Sequence, residues 1–165
     1  IYQITWRSRK GFIYDLKTFT LESTFNYNSE GWGITTAGDH LIMSDGSNKL
    51  YHIAPSTFNI LKEVEVYDHN GPVDQLNELE YVDGMIWANV WLTDRIVVID
   101  PETGIVRGEL NLPGLLPAAD KARLDDKDDV LNGIAWNAGK GTFYVTGKRW
   151  PKLFESKVKL IPYGR

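Results

Sequence analysis

The sequence predicts an all-β protein assembled from a repeated four-stranded unit, a β-propeller, and three observations lead there. Short β-branched and aromatic runs alternate with turn residues at intervals too short for helices. Six Trp, eight Tyr and six Phe accompany fifteen Gly and seven Pro, a balance that suits strands joined by tight turns. A strand, turn, strand plan also recurs three times, as FIYDLKTFTLES at 12–23, YHIAPSTFNILKEVEV at 51–66 and VVIDPETGIVRGELNL at 97–112. Asp15, Ala54 and Asp100 hold the matching position, with Thr18, Thr57 and Thr103 three residues on, which reads as a type I turn. Nine residues before each lie Trp6, Asp45 and Trp91, so the register extends through a second strand. A sandwich has no reason to keep such a turn, whereas a propeller blade of four strands A to D does.

In chain order, ITW at 4–6, FIY at 12–14 and the run ending the first repeat supply strands B, C and D of a blade spanning 1–25. GIT at 33–35, LIM at 41–43, LYHI at 50–53 and LKEVEV at 61–66 make a blade over 33–66. ELEYV at 78–82, MIWANVW at 85–91, RIVVI at 95–99 and IVRGEL at 105–110 make another over 78–112. GIAW at 133–136, TFYVTG at 142–147 and LFESKVKLI at 153–161 make a last one over 133–161, without its outer strand. The expectation is thus about three complete blades after three strands of a preceding one, in a single partial propeller domain over 1–165. Propellers close with four to eight blades, so the rest of the ring is expected from sequence outside the chain.

Composition removes several classes of function. Cysteine is absent, which excludes disulfide scaffolds, CxxC redox sites and thiolate metal sites. A formal charge of −4, a pI near 5.4 and no basic run argue against a nucleic-acid partner. No apolar run approaches the length of a membrane span, so no membrane partner is expected. Ile1 to Trp6 is strand-like and carries no signal-peptide pattern. His40, His52 and His69 lie far apart in sequence without HxxxH or HxH spacing, and no GxSxG, P-loop or GxGxxG occurs. No metal and no cofactor are expected.

In an up-and-down blade the D–A connections and B–C loops emerge at one end and the remaining turns at the other. The first end collects Trp6, Arg7, Trp32, Asp45, Asn77, Trp91, Asp94, Asn132, Lys148 and Trp150, with the long connections 67–76 and 113–131. Long loops on a rigid scaffold are where function concentrates. Trp87 and Trp136, inside strands, are read as packing between blades. Trp6, Trp32 and Trp91 sit at strand ends on the rim. Asn77 and Asn132 open equivalent strands, as LNELEY and LNGIAW, and either cap the D–A loop or face the mouth. Lys148 follows TG and precedes Arg149 and Trp150, which places an ammonium there. Asp125, Asp126, Asp128 and Asp129 lack the Gly and Glu of a calcium loop and read as solvated. The result is an aromatic mouth with an amide and an ammonium, suited to a small polar or peptide group.

Longer strings are more specific: EGWG at 30–33, SDG at 44–46, LNELEYVDGMIWANVWLTD at 76–94, DVLNGIAW at 129–136 and VTGKRWPKLFE at 145–155. Together they resemble the glutaminyl-peptide cyclotransferases of plant and bacterial type, a family of five-bladed β-propellers. The resemblance covers the whole chain, which corresponds to the later part of the family's domain. It implies a metal-free, cofactor-free enzyme that converts an N-terminal glutamine of a peptide or protein to pyroglutamate with loss of ammonia. By motif, Trp6, Trp32 and Trp91 resemble indoles lining the substrate pocket, and Asn77 and Lys148 its polar catalytic residues. The family's catalytic glutamate, with a nearby Gln and Phe residues, belongs to the N-terminal blades and has no counterpart here. The chain by itself is therefore expected to be inactive or nearly so, with the missing N-terminal blades as a partner. The resemblance also implies a secreted, periplasmic or secretory-pathway location. The competing reading is a non-catalytic propeller that binds peptides or proteins. A sugar-binding or lactonase-like propeller would need axial carboxylates or a central metal, and no such ring is read.

Overall fold

The computed structural model describes residues 1–124 and 127–158, so Asp125, Asp126 and the last three residues of the expected 133–161 unit lie outside the described residues. The chain folds as antiparallel sheets that follow one another in sequence. The first contains β1 (Tyr2–Gln3), β2 (Lys10–Tyr14) and β3 (Leu21–Asn26). The second contains β4 (Gly33–Ala37), β5 (His40–Ser44), β6 (Lys49–Ile53) and β7 (Ile60–Glu65). A small ribbon, β8 (Tyr67–Asp68) with β9 (Gly71–Pro72), lies in the next connection. The third sheet contains β10 (Leu76–Val82), β11 (Met85–Val90), β12 (Arg95–Ile99) and β13 (Val106–Asn111). After the short helix α1 (Ala118–Lys121), the fourth contains β14 (Leu131–Asn137), β15 (Thr142–Gly147) and β16 (Phe154–Ser156). Every sheet is a meander, each strand pairing with its neighbour in sequence.

The core lies between consecutive sheets. Leu41, Met43, Ile53 and Phe58 pack against Tyr2, Ile4, Phe25 and Tyr27 of the first sheet. Ile42, Leu50 and Val66 pack against Leu76, Leu79, Ile86, Val97 and Ile99. Trp87, Ile96 and Val98 pack against Leu131, Ile134, Phe143 and Val145. Alternation along β12 sends Ile96 and Val98 one way and Val97 and Ile99 the other. Burial of both faces is why RIVVI and LIM read as unbroken apolar runs instead of alternating ones. Trp87 of the third sheet packs on Phe143 of the fourth, ring centroids 4.4 Å apart, as expected of a strand tryptophan, while Trp136, 4.6 Å from the same ring, is its cross-strand partner within the fourth sheet.

The three repeated turns have one geometry. The amides of Phe19, Phe58 and Gly104 donate to the carbonyls of Asp15, Ala54 and Asp100, four residues back. Those three donors have φ of 55, 60 and 74°. The turn is thus one residue longer than the expected type I turn, closed by a left-handed residue that only the third copy fills with glycine. Asp15 Oδ1 accepts from the amides of Lys17 and Thr18, and Asp100 Oδ1 from those of Glu102 and Thr103. Ala54 lacks this brace.

Three expectations need correction. ITW is not a strand: β1 is Tyr2–Gln3, and Trp6 sits in a bend. Thr5 donates through Oγ1 to the Lys10 carbonyl and takes the Lys10 amide, while the Tyr27 hydroxyl takes the Thr5 amide, so hydroxyls replace ladder partners there. The 67–76 connection is not loop throughout, because it forms the β8–β9 ribbon, where Arg95 holds Asp68 at 3.1 Å. His40 and His52 are not apart: register places Ile42 opposite His52, so His40, two residues back, is its diagonal neighbour on the same face.

Strands β4, β10 and β14, the first of the second, third and fourth sheets, lie side by side and present unpaired ladder groups. Side chains of the preceding sheet satisfy them. Thr35 Oγ1 accepts from the Tyr81 amide at 3.1 Å, Asn89 Oδ1 from Gly133 at 2.9 Å, Glu78 Oε2 from Ile134 and Glu80 Oε1 from Trp136, both at 2.8 Å. Ser44 Oγ donates to the Asn77 carbonyl at 2.6 Å.

Burial, with the neighbouring Glu80 charge, lifts the Glu78 carboxyl from 4.5 to about 7. A carboxyl raised on folding contributes stability that is fully present below the unfolded value and lost as pH rises through the folded one. Above pH 7 ionised Glu78 therefore opposes folding by on the order of 3 kcal/mol relative to its protonated form. Glu78→Gln is expected to raise Tm at pH 8 and to change it little near pH 4.5, as read by thermal denaturation across that range. An equal shift at both ends would show that Glu78 is not the group responsible.

Candidate functional site

Four loops from four sheets meet at one end of the molecule around a cavity of about 290 Å³. Trp6, Gly31, Trp32, Asn77, Trp91, Asp128, Asn132 and Lys148 line it. All five residues singled out as catalytic or substrate-binding, Asn77, Lys148, Trp6, Trp32 and Trp91, are therefore brought to one surface from positions spread over the chain.

Each is set by a local device. Trp6 sits in the Thr5-braced bend described above. Trp32 immediately precedes β4, with its amide bonded to the Ser44 carbonyl at 3.0 Å. Its indole packs over Gly46, where φ is 86° and an added Cβ would stand 2.6 Å from the ring. Trp91 follows β11 and precedes Leu92, whose φ of 64° turns the chain. A backbone chain ties these loops: the Trp91 amide donates to Gln75, and the Gln75 amide to Gly46, each at 2.9 Å. Asn77 and Asn132 both fall within β-bulges, between Leu76 and Leu79 and between Leu131 and Ile134. A bulge re-aims side chains at a strand end. Lys148 follows Gly147, whose missing Cβ admits the Trp150 indole, and its amide bonds to the Val130 carbonyl.

The Trp32 and Trp91 rings meet edge to face, centroids 5.2 Å apart at 88°. Lys148 Nζ lies 5.2 Å from the Trp91 ring centre. Among the described residues, Trp91 Nε1 and Asn132 Oδ1 are buried without a hydrogen-bond partner. An unpaired buried donor and acceptor are costly unless a guest completes them. Stacked indoles for an apolar stem, an ammonium for a carbonyl or anion, and an unused donor and acceptor together suit an amide-bearing guest.

One residue the sequence reading passed over organises the aromatic wall. Glu30 Oε2 accepts from both Trp6 Nε1, at 2.6 Å, and Trp32 Nε1, at 2.9 Å. The Arg7 guanidinium lies 3.9 Å over the Trp6 ring and 3.8 Å from Glu30 Oε1. The Trp32 and Trp6 donors hold the Glu30 carboxyl below its usual range, keeping it ionised and engaged. The signal was present in the quoted EGWG string, but nothing in a linear sequence ties Glu30 to Trp6, twenty-four residues earlier.

Other rim residues take structural posts. Asp45 accepts from the Ser47 amide and hydroxyl and from Tyr51, capping its loop outside the cavity. Asp94 and Trp150 line a separate void of about 50 Å³. The acidic run is not simply solvated: Asp129 is buried and bonded to Arg149 Nε at 2.7 Å, and Asp128 lines the cavity. Among the described residues no three His, Asp or Glu side chains converge on a metal position.

The sequence profile of the glutamine cyclotransferase family matches residues 1–158. A glutaminyl-peptide cyclotransferase from Arabidopsis thaliana is 38% identical over 164 residues, taking in 96% of this chain and 50% of the relative. The chain thus spans about half the length of that relative. The crystal structure of Myxococcus xanthus glutaminyl cyclase matches with a TM-score of 0.87 at 37% identity, over 93% of this chain and 66% of that one. The computationally designed Ika4 protein matches with a TM-score of 0.51 at 10% identity, over 92% and 81%, a likeness of fold alone.

Glu30→Ala leaves two indole N–H groups without their acceptor. Trp6 and Trp32 are expected to loosen, seen as red-shifted tryptophan emission and stronger acrylamide quenching, whereas Glu30→Gln retains an oxygen and changes both less. Emission identical to the parent in Glu30→Ala would remove Glu30 from this role.

Proposed function

The chain belongs to the glutamine cyclotransferase family, and from that membership we propose that its cavity is the substrate pocket of a glutaminyl-peptide cyclotransferase. The observation that supports this most is the meeting of Trp6, Trp32, Asn77, Trp91 and Lys148 around one cavity. The reaction is internal to the substrate. The neutral α-amine of an N-terminal glutamine attacks its own γ-carboxamide carbon, a C–N bond closes the five-membered lactam, and the former amide nitrogen departs as ammonia carrying the proton the amine gives up.

In this reading Trp32 and Trp91 hold the glutamine side chain folded back on its own amine, an intramolecular proximity effect. Lys148 or Asn77 donates to the carbonyl oxygen as negative charge develops on it. Trp91 Nε1 and Asn132 Oδ1 supply the further donor and acceptor that a carboxamide can satisfy. Glu30 is spoken for by two indoles and positions the wall. A proton carrier between amine and leaving group is still required. The family resemblance assigns that role to a glutamate outside the matching motifs of this chain. Substrate binding is therefore the property we expect of these 165 residues, and turnover of the same residues joined to or mixed with the sequence that supplies that glutamate.

We read the sheets in the same light as blades of a five-bladed propeller. The second and third sheets are complete blades over 33–66 and 78–112, β1 to β3 are strands B to D of the blade over 1–25, and β14 to β16 are strands A to C of the one over 133–161. The family resemblance supports a secreted, periplasmic or secretory-pathway setting for our reading; separately, no helix among the described residues is long and apolar enough to cross a membrane.

A Gln-initiated peptide tests the proposal, with ammonia release and the matching mass loss as the readout. In protein that turns over, Lys148→Ala and Trp91→Ala are each expected to cut kcat/KM by about a hundredfold, the scale of losing one preorganised donor. Unchanged rates in both would refute the site. Tight peptide binding with no ammonia, even with the glutamate supplied, would instead favour a non-catalytic peptide-binding module.

A further inference from the structure

β5 runs from His40 to Ser44, whose carbonyl accepts from Trp32 at the cavity, so His40 begins the strand at the opposite end of the molecule. There His40 Nε2 and His52 Nδ1, from neighbouring strands, stand 2.9 Å apart, a hydrogen-bond separation. With ring centroids 4.9 Å apart and planes 24° apart, the two rings meet by their edges and not by their faces. The outer nitrogens are engaged too. His40 Nδ1 lies 2.9 Å from Asp39 Oδ1, and His52 Nε2 lies 3.1 Å from the Pro101 carbonyl oxygen. A carboxylate and a carbonyl only accept, so both outer nitrogens carry a hydrogen. The inner contact needs one as well. Three contacts thus call for three ring hydrogens, and two neutral imidazoles carry only two.

We propose that His40 and His52 hold one extra proton as a pair, and that this proton closes a pH-gated tie between the second sheet and the β12–β13 turn of the third. The proton belongs on His40, whose side chain is 24% exposed and faces the Asp39 carboxylate, whereas His52 is buried. As an imidazolium, His40 donates to Asp39 on one side and to His52 Nδ1 on the other, and neutral His52 donates from Nε2 to the Pro101 carbonyl. The other charges facing the pair are Lys62 on β7, directly opposite His52 in register, and Glu102 in the turn, which hold each other at 2.9 Å. Lys62 also donates to the Glu102 carbonyl at 2.8 Å. The turn is therefore held to the second sheet by one set of bonds that persists where histidine titrates and by one that does not. Burial first, then the charges of His40 and Lys62, keep His52 below the ordinary histidine range and so keep a second proton off the pair. Without the extra proton, one of the three contacts sets two acceptors face to face. With a second one, two N–H groups meet head-on. Stability from the tie is thus lost as pH rises through release of the first proton, and lost again as pH falls through uptake of the second.

Long-range proton–nitrogen NMR of the ¹⁵N-labelled full chain, followed across pH, tests the tie. At about pH 6.5, where a free histidine titrates, His40 is expected to be protonated on both ring nitrogens and His52 on Nε2 alone. The pair is expected to titrate in two separate steps, one on each side of that pH. Asp39→Asn should move the upper step down by roughly half a unit, the scale of losing an exposed ion pair. His40→Ala should leave His52 to titrate in a single step, and its loss of Tm should be largest between the two steps of the parent and smaller above and below them. A pair that carries two or four ring hydrogens at that pH, or a Tm loss in His40→Ala that is the same at every pH, would overturn the proposal. The spectra of the parent decide the matter even if His40→Ala fails to fold.

Discussion

The inner strands set the conditions for everything else. A strand at the edge of a sheet has amides with no ladder partner, and burying that edge beside another sheet leaves them without water as well. The molecule answers with side chains aimed across the gap: Thr35, Asn89, Glu78 and Glu80 each take one amide of the next sheet. These bonds fix the height of one sheet against the next far more tightly than apolar contact can, since apolar contact is not directional. The two bulges that carry Asn77 and Asn132 therefore come to the same end of the molecule. The site depends on that alignment, because its residues come from four separate sheets and no two of the five proposed ones are neighbours in sequence.

Two kinds of polar group surround the cavity, and their difference is instructive. Glu30 is satisfied within the fold, and its carboxylate is used up in holding indoles. Trp91 Nε1 and Asn132 Oδ1 are buried and left open. Interiors rarely keep such groups unless something else completes them. Lys148 lies over the Trp91 face, which offers a cation an attractive resting position without the directional bonds of a carboxylate. A cation held in that way is free to redirect its donors, which a salt bridge would not allow.

Much of the architecture was legible in the sequence because it is written locally. The Asp15, Ala54 and Asp100 turns could be aligned by eye, and the strands around them followed. The aromatic rim residues were legible as strand-end tryptophans, and their motifs carried the family likeness. What escaped was whatever depends on register or on a partner distant in sequence. Glu30 was quoted within its motif but not connected to Trp6. Nothing in the ELEYV run singles out Glu78 and Glu80, yet both carboxyls reach amides of β14. His40 and His52 show no ligand spacing along the chain; the diagonal pairing of a hairpin brings them together. Trp6 was assigned to a strand because ITW has the composition of one, and only the hydroxyls of Thr5 and Tyr27 explain why the ladder stops earlier.

The placement of the core between successive sheets has a wider consequence. Each apolar cluster joins one sheet to the next, and none spans three. The folded state is accordingly close to a linear chain of couplings, in which stability is a sum of sheet terms and nearest-neighbour terms. Loosening at the aromatic contact between the first two sheets has no direct path to the Trp87 and Phe143 contact between the last two. Partial opening from either side is then the natural low-energy excursion, and a cavity drawn from all four sheets is the first property such an excursion would erase.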